Sequence, residues 1–77
     1  MNITGMLKNA RKFNIDNKVV VVGNVYNDSL HRFDDGEKIK TSYITNESPY
    51  HIETNSSTYF VEWASDKVFN WDEAETL

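Results

Sequence analysis

The sequence predicts a mainly β protein: four or five antiparallel strands in a small sheet or curled barrel, with a short helix at the N-terminus. Three observations favour this fold. Four consecutive valines lie within residues 18–26, runs of β-branched and aromatic residues recur about every ten residues, and polar turn residues separate the runs. A chain of 77 residues provides one small domain, here taken as residues 1–77.

The first segment, residues 1–17, is predicted to form a helix followed by a turn. Thr4 is suited to cap such a helix. Four apolar residues behind it have the i, i+1, i+4, i+7 spacing of one helix face: Met6, Leu7, Ala10 and Phe13. Because the stripe is only about two turns long, we expect it to cover the sheet rather than to lie in a membrane.

The strand region, residues 18–63, begins with its clearest element. Residues 18–26 form a strand whose valines indicate burial on both faces, and Gly23 within it indicates a bulge or a close backbone approach. Residues 31–33 form a short strand that leads into a hairpin turn at residues 34–36, where Gly36 accepts the positive φ that a tight turn needs.

The later strands are predicted from alternation. Residues 39–45 place Ile39, Thr41 and Tyr43 on one face, as expected of a half-buried strand. Residues 46–50 form a loop, and residues 51–54 form a strand with Ile52 inward. After a turn at residues 55–57, the last strand covers residues 58–63. One of its faces carries three large side chains: Tyr59, Val61 and Trp63.

The acidic tail, residues 64–77, has no basic residue after Lys67. Asn70 and Glu73 are spaced as a capping box that would open a final helical turn, but a disordered tail fits the composition equally well. Phe69 and Trp71 lie beyond the last predicted strand. They either fold back onto the body or serve as anchors for another chain.

Composition limits the chemistry that the chain can carry. It has no cysteine, which excludes disulfides and thiolate zinc sites, and its two histidines are far apart in sequence. We therefore predict no metal and no cofactor. The N-terminus is too polar for a signal peptide, and no apolar run approaches the roughly 20 residues of a membrane span. We expect a cytoplasmic protein without a membrane partner.

Charge is unevenly distributed along the chain, whose net charge is −4. Residues 1–20 contain four basic residues and one acidic residue, whereas the remainder contains four basic and eleven acidic residues. Nucleic-acid binding depends on basic side chains that neutralise phosphates, so nucleic acid is not the expected partner of the acidic body. Such a body attracts a basic protein surface instead, or simply remains well solvated.

No set of residues forms a recognisable catalytic motif, so we expect no enzymatic activity and no catalytic residue. His31 near Asp34, and His51 near Glu53, are isolated neighbours and lack the third group that orients a catalytic base. The acidic residues 34–37 lack the alternating oxygen ligands of a calcium loop. Turn formation explains them, and their tip remains available to a partner.

Three stretches resemble a pattern found in a group of small bacterial and phage proteins. They are residues 22–26, with the form G-x-V-Y; residues 31–44, with R-F-x-D-G-x-x-I-x-T-S-x-I; and residues 54–59, with T-x-x-S-x-Y. The resemblance covers roughly residues 20–61. No activity is assigned to that group, so the resemblance implies a shared small β fold and no mechanism. Residues 1–17 and the acidic tail depart from the pattern.

The first functional hypothesis is a non-enzymatic protein-binding module, an inhibitor of a host nucleic-acid machine from a phage or mobile element, similar in kind to anti-CRISPR proteins. Acidic and aromatic residues supply its binding surface: Asp34, Asp35, Glu37, Glu62, Phe69, Trp71, Asp72 and Glu73. A self-associating structural or regulatory protein, such as a homodimer, is the first alternative. The second is a weak nucleic-acid binder that uses Lys8, Arg11 and Lys12.

Overall fold

The computed structural model describes residues 3–72, which form one open mixed sheet of six strands. In chain order the strands are β1 (Gly5–Ile15), β2 (Lys18–Tyr26), β3 (Glu37–Lys40), β4 (Asn46–Ser48), β5 (His51–Glu53) and β6 (Thr58–Asn70). Across the sheet their order is β3-β2-β1-β6-β5-β4. The parallel pair is β1 with β6, and the other neighbouring pairs are antiparallel. The prediction of a mainly β protein is confirmed.

The predicted N-terminal helix is wrong, because residues 5–15 form strand β1 in the middle of the sheet. The pairing of β1 with β2 shifts its register between Lys8 and Arg11, and Asn9 there has a φ of 54°. Such a bulge inserts an extra residue into one strand of a pair. Leu7 and Ala10 therefore both point into the core, although they are three positions apart.

Phe13 completes the explanation of the apparent helical stripe. It is fully buried but lies outside the main core, on the other face of the sheet. There it faces Val20 of β2 and Phe69 of β6 in the strand register. The spacing that suggested a helix is thus produced by a bulged strand that buries side chains on both of its faces.

Several other elements differ from the sequence prediction. There are six strands rather than four or five, and the sheet is open and mixed rather than a wholly antiparallel sheet or barrel. Residues 31–33 belong to a loop, β4 lies where a loop was expected, and β6 continues to Asn70 instead of ending at residue 63. The predicted bounds of β2 are confirmed, as is the inward position of Ile52, and Tyr59 and Val61 share a buried face as their alternation predicted.

The turns follow local chemistry. The β1–β2 connection consists of Asp16 and Asn17, whose φ values of 51° and 65° give the doubly positive backbone of a tight hairpin. Aspartate and asparagine tolerate this conformation better than most residues. A turn at residues 34–36 is confirmed, since the Glu37 N–H donates to the Asp34 carbonyl at 3.0 Å and Gly36 has a φ of 87°. It is not the predicted hairpin turn, because residues 31–33 form a loop and β3 pairs with β2.

The main core lies on one face of the sheet, which we call the inner face. Eight buried residues from five strands form it: Leu7, Ala10, Val21, Val25, Ile39, Ile52, Tyr59 and Val61. Residues 41–45 connect the two halves of the sheet, because the Thr41 and Ile44 N–H groups donate to β2 carbonyls and the Thr45 N–H donates to Glu53 of β5. Ile44 packs against the core from this segment.

A smaller aromatic cluster covers part of the opposite, outer face. The Phe13 ring lies 5.7 Å from the Phe69 ring and 5.6 Å from the Trp71 ring, measured between centroids. These contacts explain why β6 continues beyond its predicted end. Of the two alternatives for Phe69 and Trp71, the structure shows the fold-back onto the body.

The bulge in β1 gives a direct test of the fold. Replacing Asn9 with Val is expected to lower the free energy of unfolding by about 1–2 kcal/mol, because a β-branched residue is strained at positive φ. Asn9→Gly, the matched control, is expected to leave stability equal or higher, because glycine adopts this backbone freely. Urea unfolding measures both. Equal stability of the two variants would contradict the left-handed backbone at this position.

Candidate functional site

An exposed group of apolar side chains, which we call the aromatic patch, lies on the outer face near the start of β6. Phe60 faces Met6 of β1 and His51 of β5 in the register, so the three side chains share this face. Tyr50, in the turn before β5, is 71% exposed and Phe60 is 42% exposed. With Val61 and Glu62, they line a shallow cleft of about 490 Å³.

The aromatic patch is held in shape by local contacts. The His51 ring lies 4.5 Å from the Phe60 ring, and its Nδ1 is 3.1 Å from the Ser48 hydroxyl of β4. The imidazole is therefore fixed between an aromatic ring and a hydroxyl rather than paired with a carboxylate. The cleft therefore offers a ligand an apolar surface, and Glu62 is the one carboxylate among the residues that line it.

The acidic tip predicted to bind a partner lies at the start of β3. Asp34, Asp35 and Glu37 are all exposed. Two of them also stabilise the loop: Asp35 accepts a hydrogen bond from the Asn27 N–H at 2.7 Å, and Glu37 accepts one from the Asp34 N–H at 3.2 Å. The tip is thus a well-defined acidic surface and not a loose loop.

The other predicted binding residues are dispersed. Glu62 is exposed and lines the aromatic patch, whereas Phe69 and Trp71 pack on Phe13. Asp72 is exposed, and Glu73 lies outside the described residues. The structure therefore places Glu62 beside the aromatic patch and distributes the other described residues between the acidic tip and the end of β6.

Sequence reasoning missed the remaining residues of the aromatic patch. Met6 was assigned to a helix, and His51 was considered only as a base. Phe60 was left on the face opposite Tyr59, Val61 and Trp63 and was not proposed as a binding residue. One signal was available, because a tyrosine directly after the single proline of a loop is unusual for a core residue.

A buried carboxylate joins the loop before β3 to β6. The Asp28 side chain is 1% exposed and accepts hydrogen bonds from the N–H groups of Leu30 at 3.3 Å and Arg32 at 2.7 Å. The Arg32 guanidinium lies 3.4 Å from the same carboxylate. It also donates to the Ser57 hydroxyl and the Tyr59 hydroxyl, each at 3.1 Å. These contacts fix residues 28–32 against β6.

The protonation of Asp28 follows from these contacts. Burial raises the pKa of the Asp28 carboxyl, but hydrogen bonds from Arg32 and the Leu30 N–H, together with the charge of Arg32, outweigh burial and lower it overall. Burial lowers the pKa of Arg32, and its contacts with Asp28 and Tyr59 raise it overall. Asp28 is therefore a charged structural anchor, not a proton donor at neutral pH.

Lys12, one of the residues predicted to bind nucleic acid, makes contacts with other residues of the chain. The Lys12 ammonium lies 2.7 Å from the Glu47 carboxylate and 4.9 Å from the centroid of the Trp63 ring. The Trp63 indole N–H in turn donates to the Pro49 carbonyl at 3.0 Å. Lys12 thus links β1 to the β4–β5 hairpin and contributes to the fold.

The described residues offer no cluster of metal ligands and no helical membrane span. Within residues 3–72, no group of three or more His, Asp or Glu side chains is arranged to hold a metal ion. His31 is exposed in the loop before β3, and His51 is half-buried in the aromatic patch. The same residues include no helix with the length and apolar character needed to cross a membrane.

Comparison of the chain with protein-family models finds no match, and comparisons with curated proteins and with solved structures find none either. The resemblance of residues 20–61 to small bacterial and phage proteins therefore stays a prediction. Within the structure, its most specific stretch covers the loop anchored by Arg32, strand β3 and the connecting segment that follows.

The buried Asp28 predicts a pH-dependent stability. Asp28→Asn is expected to lower the free energy of unfolding at about pH 7 by about 1–3 kcal/mol, because charge-assisted hydrogen bonds are lost in a buried site. Since the pKa of Asp28 is lowered by folding, its contribution is complete above the ordinary carboxyl pKa of about 4 and is lost as pH falls through the lower folded value. The difference in free energy of unfolding between the original protein and Asp28→Asn should therefore become smaller at acidic pH.

Urea unfolding at about pH 7 and about pH 3 measures this difference. Asp66→Asn, which changes an exposed carboxylate on β6, is the matched control and is expected to change stability by less than about 0.5 kcal/mol. A penalty for Asp28→Asn that is the same at both pH values would show that the carboxylate charge does not anchor the loop.

Proposed function

We propose that this chain is a non-enzymatic protein-binding module and that the aromatic patch is its contact surface. The single observation that carries the proposal is the exposure of Tyr50 and Phe60 side by side on a shallow apolar cleft. Exposed aromatic residues contribute more binding energy at protein interfaces than most other residue types. The short strands β4 and β5 and the long β6 position these rings on a rigid sheet.

The charge around the aromatic patch indicates the chemistry of the partner. Glu62 lines the cleft, and Glu53 shares the outer face with His51 because they are two residues apart on β5. A complementary partner presents an apolar side chain flanked by lysine or arginine. Such a segment places its apolar group between Tyr50 and Phe60 and its charge near Glu62.

The acidic tip supports a finer form of the proposal, in which the partner is a basic protein that handles nucleic acid. Asp34, Asp35 and Glu37 form a second acidic surface at the β3 edge of the sheet, and a phage or mobile-element inhibitor of the anti-CRISPR kind would occupy a basic groove with such a surface. Charge complementarity alone supports a basic, nucleic-acid-handling partner. The aromatic patch supports binding to a protein partner whether or not that partner handles nucleic acid.

Site-specific photo-crosslinking tests the proposal in the cell that makes the protein. With a photoreactive benzoylphenylalanine at position 50, a defined heterologous adduct is expected, because Tyr50 projects into the contact surface. The same group at position 43, where Tyr43 is also exposed but lies outside the aromatic patch, is the matched control. Mass spectrometry identifies the adduct. An identical pattern from both positions, or none from position 50, would contradict the proposal.

A Phe60→Ser variant separates a heterologous partner from self-association. Light scattering of the purified chain is expected to give a monomer for both the original and the variant protein, because the two exposed rings, Tyr50 and Phe60, cannot by themselves supply the roughly 1,200 Å² that a stable interface buries. A dimer that Phe60→Ser dissociates would favour the self-associating alternative and make the second copy the occupant of the aromatic patch.

A further inference from the structure

The outer face of β1, β2 and β3 collects basic side chains that are distant in sequence. The register places Lys8, Asn24 and Lys38 in one row across these strands. A second row contains Arg11, Val22 and Lys40. Each row therefore has a cation on β1 and a cation on β3 on either side of a neutral residue of β2. We call these four cations and their two neutral neighbours the basic face.

A cleft of about 350 Å³ lies within the basic face beside the β1 bulge. Two cations, Arg11 and Lys38, line it together with two asparagines, and the full lining is Asn9, Arg11, Phe13, Val22, Gly23, Asn24 and Lys38. The Asn24 amide also donates to the Gly36 carbonyl at 3.0 Å. A Cβ at position 23 would lie 3.0 Å from the Lys8 carbonyl oxygen, so any larger residue there would require the bulged backbone to shift. The cleft thus combines two positive charges with neutral hydrogen-bonding groups.

The four cations are not neutralised by the described part of the chain. The ion pairs among residues 3–72 are Lys12 with Glu47 and Arg32 with Asp28, and neither involves the basic face. Acidic side chains lie instead at the acidic tip, on β4, β5 and β6, in the β1–β2 turn at Asp16, and at Asp72 directly after Trp71. An overall acidic chain therefore has one face that attracts anions, because the local potential depends on nearby charges and not on the net charge.

Aromatic rings are interleaved with the lysines in this region. The Lys8 ammonium lies 5.1 Å from the Tyr26 ring centroid, Lys40 lies 5.2 Å from Trp71, and Lys18 lies 4.9 Å from Tyr43. Trp71 is 37% exposed and Tyr43 is 42% exposed. A broad open groove lined by Lys18, Lys40 and Tyr43, among others, lies at the hairpin end of the sheet.

We propose that single-stranded nucleic acid binds to the basic face, with phosphates at the two rows of cations and bases stacked on Tyr43 and Trp71. Cations that alternate with exposed rings on a sheet are the combination that binds single strands with little sequence preference. A duplex stacks its bases internally and would leave the rings unused. This surface shares no residue with the aromatic patch, which it adjoins where Lys8 follows Met6 on the outer side of β1, so the inference does not depend on the proposed protein partner.

Fluorescence anisotropy with a labelled thymidine oligonucleotide of about 20 nucleotides tests the inference, in salt from about 20 to about 200 mM. We expect binding that weakens steeply with salt. Lys38→Gln is expected to reduce the slope of log affinity against log salt by about 0.7, the value for one phosphate contact on a single strand. Lys67→Gln removes the same charge from a residue that lines neither cleft, and its slope should equal that of the original chain.

A second pair of variants tests stacking. Tyr43→Ser is expected to weaken binding about 5- to 100-fold, whereas Tyr50→Ser, which changes a tyrosine of the aromatic patch, leaves it unchanged. Circular dichroism confirms that each variant is folded. Three results would overturn the inference: no binding at low salt, equal losses from Lys38→Gln and Lys67→Gln, or equal affinity for a polyglutamate peptide of the same length, which offers charge without bases.

Discussion

The structure depends on the position of β1 between β2 and β6. On one side of β1 lie β2 and β3, and on its other side lie β6, β5 and β4. This one strand therefore joins the two halves of the sheet. Its parallel pairing with β6 brings Leu7 beside Val61 and Phe13 beside Phe69, although more than fifty residues of chain separate the members of each pair. That pairing is the strand-to-strand contact between the two halves of the sheet, which the segment at residues 41–45 and the Lys12–Glu47 ion pair also connect.

The bulge at Asn9 determines what each face of the sheet carries. It directs Leu7 and Ala10 to the inner face, and it leaves Arg11 and Phe13 on the outer face. A regular strand would have placed Leu7 and Ala10 on opposite faces. The same irregularity therefore builds the core, brings Arg11 into one row with Lys40 of β3, and forms the cleft of the basic face. Gly23 opposite the bulge is needed for this close approach.

Local patterns in the sequence were sufficient for part of this fold. The valine run and the alternation of Tyr59, Val61 and Trp63 predicted strands because they reflect burial within one element. The turn at Gly36 was predicted because it depends on the conformational freedom of one residue. The β1 strand was missed because its bulge replaces a period of two with a spacing of three, which is also typical of a helix.

The candidate sites were less accessible to sequence reasoning because each is assembled from several strands. Met6, His51 and Phe60 become neighbours only through the β1–β6–β5 register. The basic face was missed for a related reason, since charge was counted along the chain and Lys38 and Lys40 were grouped with the acidic body. In the sheet they lie across from Lys8 and Arg11. A charge count along the chain does not reveal such a face.

The most direct test is a backbone NMR measurement on the isotope-labelled chain. The account predicts strand-type chemical shifts throughout residues 5–15, except at the positive-φ residue Asn9, and nuclear Overhauser contacts between the backbones of Leu7 and Val61 and of Phe13 and Phe69. Helical shifts over residues 6–13, with contacts between residues three apart and none to β6, would contradict it. That result would show that β1 is not a strand and that the basic face, which depends on its register, does not form.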